Sequence, residues 1–353
     1  MKKYLILLAV PLFLFGCVGN QQKKEKKSTA TKIVPQAEKD LLSKAQMFFK
    51  VLPTEAINPE NPLTEAKVKL GKILYYDNRL SKDETQSCNT CHNLVTYGVD
   101  NLPTSPGDNG IPGTRNSPTV LNAAFKTTQF WDGRNKDVEE QAGGPILNPA
   151  EMAIPHEQFL LDRLKKTELY PPLFTAAYPG EENPITYKNV RFAIAAFERI
   201  LITPSAFDDY LTNNIDALNE QEKKGLKTFM DVGCIACHTG SVLGGTMLQK
   251  FPLFGEYRDY IPEGKIDYGK FEDTKVEADK FMFFVPLLRN VEKTAPYFHD
   301  GSVVDLGESI RIMGKSELNK ELSDEQVNDM VAFMKTLTGE VAADWQIVPE
   351  ELN

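Results

Sequence analysis

One five-residue motif occurs twice in this chain: Cys88-Asn89-Thr90-Cys91-His92 and Cys234-Ile235-Ala236-Cys237-His238. Two thiols separated by two residues and followed at once by a histidine form the attachment pattern of c-type haem. The sulfurs bond the vinyl groups and the imidazole ligates the iron. The chain has 5 cysteines and 4 histidines in 353 residues, and the two motifs hold all the cysteines except Cys17 and half of the histidines. Cys88, Cys91 and His92 are therefore read as one haem c site, and Cys234, Cys237 and His238 as a second. A four-thiolate zinc site would bring its cysteine pairs within about 15–20 residues of each other and would not explain the histidines. A dithiol redox motif would want a βαβ context, which the sequence does not offer.

The length suggests roughly two domains, and His92 and His238 lie about one domain length apart. Each motif follows a helical stretch. Thr64–Tyr76 repeats apolar residues at Val68, Leu70, Ile73 and Leu74, and Glu220–Met230 carries Leu226, Phe229 and Met230 on one face. Asp77-Asn78 and Asp231-Val232-Gly233 are placed to end those helices. Further helices are expected over 159–164 and 190–201, with a capping box at Ser323–Gln326 starting a last helix that reaches Leu337. Gly98–Asn116 reads as loop, and the Gly- and Pro-rich Gly240–Gly269 as a wrap around the second haem. Strand signals are sparse. The expected fold is mainly α, with two cytochrome c-like haem domains over 36–205 and 206–353, meeting near Pro204-Ser205.

The first residues read as a targeting segment. Lys2 and Lys3 precede an apolar run, Tyr4–Phe15, that is too short for a good membrane span. Leu14, Gly16 and Cys17 fit the end of a lipoprotein signal peptide, so 1–16 is expected to be removed and Cys17 acylated. An ordinary signal peptide with an incidental cysteine is the alternative. Residues 17–35, rich in Lys, Gln, Ser and Thr, read as a flexible tether. This gives a periplasmic, lipid-anchored location, with no membrane contact beyond the lipid. The formal charge of −9 disfavours nucleic acid as a partner.

What two haems do depends on their sixth ligands: two strong protein ligands make an electron carrier, and an open face can activate peroxide. From Leu70 to Gly339 the chain resembles the bacterial dihaem cytochrome c peroxidases. The resemblance is carried by LGKILYYDNRLSKDETQSCNTCH (70–92), GVDNLPTSPG (98–107), RNSPTVLNAAF (115–125), QFWDGR (129–134), EQAGGP (140–145), ALNEQEKKGLKTFMDVGC (217–234), PLLRNVEKTAPYFHDG (286–301) and IMG (312–314). It implies reduction of hydrogen peroxide to water with electrons from a small periplasmic cytochrome c or cupredoxin, in a homodimer. It further implies that 36–205 is the peroxidatic domain and 206–353 the electron-transfer domain. By the same resemblance Glu151 is the acid/base, Gln141 its polar partner and Phe130 the shaper of the pocket. Trp131 would bridge the haems, Met313 would be the second iron's distal ligand, and Asn116, Thr294 and Pro296 would hold calcium. On the residues alone, Glu151 could equally start a helix, Gln141 cap one, and Trp131 and Met313 pack in a core. Many family members block the first haem with a loop histidine. Here the corresponding position is Asp108, and residues 93–129 contain neither histidine nor methionine. The first haem is therefore expected to be open at rest. Two alternatives are a dihaem electron-transfer cytochrome and a related dihaem oxidase acting on an organic or protein substrate.

Overall fold

Thr64 opens the helix Glu65–Tyr76 by accepting the Lys67 N–H (3.2 Å), the capping arrangement that satisfies a free donor at a helix start. In the computed structural model, which describes Met1 and residues 34–352, this helix packs on Tyr187–Glu198. Leu70, Ile73, Leu74, Ala193, Ile194 and Phe197 are buried together in one apolar core. The helices meet at Gly71, where an added Cβ would stand 1.8 Å from the Ala193 carbonyl oxygen. The second half repeats this arrangement. Asn219 caps Glu220–Val232, which packs on Asp324–Lys335, and a Cβ on Gly225 would stand 1.9 Å from the Asp329 carbonyl oxygen. Leu226, Phe229, Met330 and Phe333 fill the second core. Full burial of each such side chain contributes about 1.5–3 kcal/mol.

Each helix pair thus precedes or follows its haem motif with backbones in close contact, and the fold is mainly α as expected. The named sheet among the described residues is a two-stranded antiparallel ladder, Leu248–Lys250 with Met282–Phe284. Helix bounds differ slightly from the sequence reading: the 190–201 helix is Tyr187–Glu198, and the last expected helix ends at Lys335.

The two cores do not divide at one chain position. Helix Gln36–Phe48 places Leu42 and Ala45, with Phe49 after it, in the second core. At the other end, Val341 is part of the first core, and Trp345 and Leu352 pack against it. The Trp345 carbonyl accepts the Tyr76 hydroxyl (2.7 Å). Each core is therefore closed by a segment from the far end of the chain. The signal peptide 1–16, Cys17 and the tether up to position 33 lie outside the described residues.

A buried ionic tie anchors the loop after the second haem motif. Arg289 is 0% exposed. It pairs with both oxygens of Asp208, at 2.8 Å from Nη2 to Oδ1, and donates from Nε to the Ser241 carbonyl (2.9 Å).

Candidate active site and haem cavities

Cys88–Cys91 forms a single helical turn, fixed by Ser87 N–H donating to Thr90 Oγ1 (2.9 Å) and His92 N–H donating to the Cys88 carbonyl (2.9 Å). Both thiols and His92 line a cavity of about 1060 Å³. Burial drives the Cys91 thiol up to about 11 and holds the His92 ring below its ordinary value, so the imidazole is neutral, the form that ligates iron. The backbone of Gly98 and Pro118 is close enough to oppose that shift, yet His92 Nδ1 makes no hydrogen bond of ordinary geometry. The second motif lines a cavity of about 450 Å³ with Cys234, Cys237 and His238. There His238 Nδ1 lies 2.9 Å from the Leu243 carbonyl. A proton on Nδ1 leaves Nε2 free for a metal, the usual outer-shell orientation of a ligating histidine. Each cavity thus offers two thiols and one neutral imidazole, the donor set that a covalently attached haem requires.

The acid/base candidate sits in the first cavity. Glu151 follows a tight turn at Asn148-Pro149-Ala150, and its Oε1 accepts from Asn148 Nδ2 (2.9 Å). Burial raises its pKa above the ordinary 4.5, opposed by the Arg134 charge and the Asn148 hydrogen bond. The raised carboxyl is easier to protonate than a free one, which suits a group that must take up and return a proton. Gln141, the last residue of the turn Val138–Gln141, lines the same cavity, as does Phe130. Phe130 has φ +68°, a region costly for a bulky residue, and its ring lies 3.4 Å from the Arg134 guanidinium carbon. The structure therefore brings Glu151, Gln141 and Phe130 together around one space with His92.

Trp131 belongs to both cavities, together with Asn116, Lys126 and Phe130. It forms part of their common wall, and its indole N–H donates to the Asn116 carbonyl (2.9 Å). Met313, on helix Leu306–Leu318, lines the second cavity with His238. Asn116, Thr294 and Pro296 also line that cavity; the Asn116 side-chain amide donates to the Leu102 carbonyl (2.9 Å). Of the stretch Gly240–Gly269, read as wrapping the second haem, Met247, Gln249, Lys250, Phe251 and Leu253 line the second cavity, and residues from Tyr260 to Asp267 also line the first.

Asp108 lies outside both cavity walls. Its carboxylate accepts from Thr85 Oγ1 (2.5 Å) and Asp83 N–H (2.7 Å), and its own N–H donates to the Glu151 carbonyl (2.7 Å). Although burial opposes it, these hydrogen bonds hold the carboxyl below its ordinary range. The residue pins its loop to the 81–85 segment and to the backbone of Glu151. His156 is exposed and caps helix Glu157–Lys166 through Nδ1, which accepts the Phe159 N–H (3.2 Å). Met152 lines the first cavity but packs in the first core.

Arg134 and Lys126 belong to the site without having been singled out from sequence. Arg134 holds Asp132 through two contacts of 3.0 and 2.9 Å, and it lies in the QFWDGR stretch, so its signal was present. Lys126 has no comparable signature. Burial pushes its ammonium down to about 8, opposed by Glu198.

Comparison with known proteins agrees with this geometry. Residues 65–216 match the family model for di-haem cytochrome c peroxidase, and residues 222–338 that for cytochrome c. The chain is 44% identical to cytochrome c551 peroxidase of Pseudomonas aeruginosa, covering 86% of this chain and 88% of that protein. It is 42% identical to the cytochrome c551 peroxidase of Nitrosomonas europaea over 82% and 84%. A solved MauG-like protein associated with microbial copper homeostasis superposes with a TM-score of 0.74 at 28% identity, covering 85% of this chain and 97% of that one. The chain belongs to the bacterial di-haem cytochrome c peroxidase family.

Proposed function

We propose that this dihaem peroxidase reduces hydrogen peroxide to water on the periplasmic side of a bacterial membrane, anchored through Cys17. Its electrons would come from a small cytochrome c or cupredoxin. The observation that carries the reading is the placement of Glu151, Gln141 and Phe130 in the His92 cavity, with Trp131 in the wall shared with the second cavity.

When bound, the haem at His92 supplies the metal on which peroxide is reduced, and the haem at His238 supplies the electron store. The chain's own residues do the rest. Glu151 takes the proton from the nearer peroxide oxygen and returns it to the farther one, so that the leaving oxygen departs as water. Gln141 offers an amide donor to charge that develops as the O–O bond breaks. Phe130 and Arg134 narrow the space above the site, and Trp131 gives a short aromatic route between the cavities. Asn116, Thr294 and Pro296, which all line the second cavity, offer oxygen atoms suited to a calcium ion, and a homodimer is the expected assembly.

We read the first site as open at rest. Asp108 takes the place of a blocking histidine, and its carboxylate is engaged with Thr85 and Asp83 rather than facing the cavity. A MauG-like oxidase is the second reading, and Met313 beside His238 in the second cavity favours the peroxidase. The test mixes the holoprotein with peroxide and a reduced small cytochrome. Peroxide-dependent oxidation of the cytochrome is expected, and none in any redox state would remove the reading.

A further inference from the structure

His299 is buried beside Trp131 and lines the second cavity. Its ring stacks on Phe283 at 4.2 Å and meets Trp131 edge-on at 6.3 Å between centroids. Its Nε2 lies 2.7 Å from the hydroxyl of buried Tyr257, whose ring centroid is 5.8 Å away. Tyr257 in turn packs on Phe281 at 5.2 Å, and Phe281 on half-buried Tyr268 at 5.4 Å. A phenol hydrogen-bonded to a neutral imidazole can lose an electron and a proton together, because the imidazole nitrogen receives the proton across the existing bond.

We infer that Tyr257 and His299 form a proton-coupled relay that refills Trp131 when peroxide arrives and donor electrons have run out. The inference rests on the peroxidase reading, which supplies the oxidant. Trp131, having given up one electron, takes one from Tyr257. The Tyr257 O–H bond breaks, its proton bonds to His299 Nε2, and the products are neutral Trp131, a Tyr257 phenoxyl radical and a His299 imidazolium. Charge balances, since the cation moves from Trp131 to His299. Phe281 and Tyr268, both half-buried and in neither cavity lining, extend the aromatic path from Tyr257. With donor present the relay is bypassed, so Tyr257 is a protective residue and takes no part in turnover.

The test treats the holoprotein with one equivalent of peroxide without donor, freezes it, and records the electron paramagnetic resonance spectrum. Donor-supported turnover is measured on the same preparation. A tyrosyl signal is expected that narrows in protein grown on ring-deuterated tyrosine and disappears in Tyr257→Phe. That variant should keep wild-type turnover with donor but lose activity several-fold faster in peroxide alone. A tyrosyl signal undiminished in Y257F, or absent from active wild-type protein, would overturn the relay. Wild-type protein with no turnover would remove the peroxidase reading and the relay with it. If Y257F fails to take up haem, His299→Gln should lower the radical yield and alter the signal's anisotropy, and an unchanged signal would count against the inference.

Discussion

Glu151 shows how one side chain acquires its chemistry from its surroundings. Burial raises its carboxyl and Arg134 opposes the shift, so two neighbours of opposite effect set its proton affinity. As the proposed base it must first be charged, so the peroxide-dependent rate should fall as pH drops through its raised pKa. Arg134→Gln removes the opposing charge and should move that acidic limb to higher pH, read from kcat/KM profiles with peroxide varied. Glu151→Gln should lower kcat/KM by about 10²–10⁴, the usual contribution of a positioned proton shuttle. The resemblance made Glu151 legible, because the residue follows closely on the EQAGGP stretch at 140–145. Lys126 was not, because a lysine reaches both cavities only through the packing of segments far apart in sequence.

Among the elements, the two glycine-mediated helix crossings are the repeat that the sequence concealed. Gly71 stands 17 residues before Cys88 and Gly225 only 9 before Cys234, so laying the halves on their motifs without a gap does not bring the two glycines together. Both contacts meet backbone carbonyls at under 2 Å, which no rotamer change relieves. Gly225→Ala should therefore destabilise by about 1–3 kcal/mol despite alanine's better helix propensity, seen as a lower Tm at unchanged haem content. The Asp208–Arg289 tie is a second element-level device. Asp208 is held below its ordinary 3.8, by the Arg289 hydrogen bond first, although burial itself works the other way. Its contribution to stability is present above 3.8 and is lost as pH falls through the lowered folded value. Asp208→Asn leaves Arg289 buried without a charge partner and should cost about 3–5 kcal/mol at neutral pH, with a flatter acid limb, measurable by denaturant unfolding.

For the whole molecule, the mainly α fold, the helices before each motif and the attachment residues were legible, because they rest on local spacing and capping. The exchange of end segments between cores was not: Leu42 and Ala45 carry ordinary amphipathic periodicity that does not name the lobe they pack on. Nor was the double service of 240–269, whose turns say only that the chain bends. Asn116, Lys126, Phe130 and Trp131 line both cavities, and on the proposed reading Asp108, standing where a blocking histidine would, leaves the first site open at rest. The most direct measurement takes the fully oxidised holoprotein, records the spin state of the first haem, and mixes it with peroxide with and without prior reduction of the second haem. A high-spin first haem that reacts at once in both arms is the expected result. A low-spin, doubly ligated first haem, inert until the second is reduced, would contradict the open resting site.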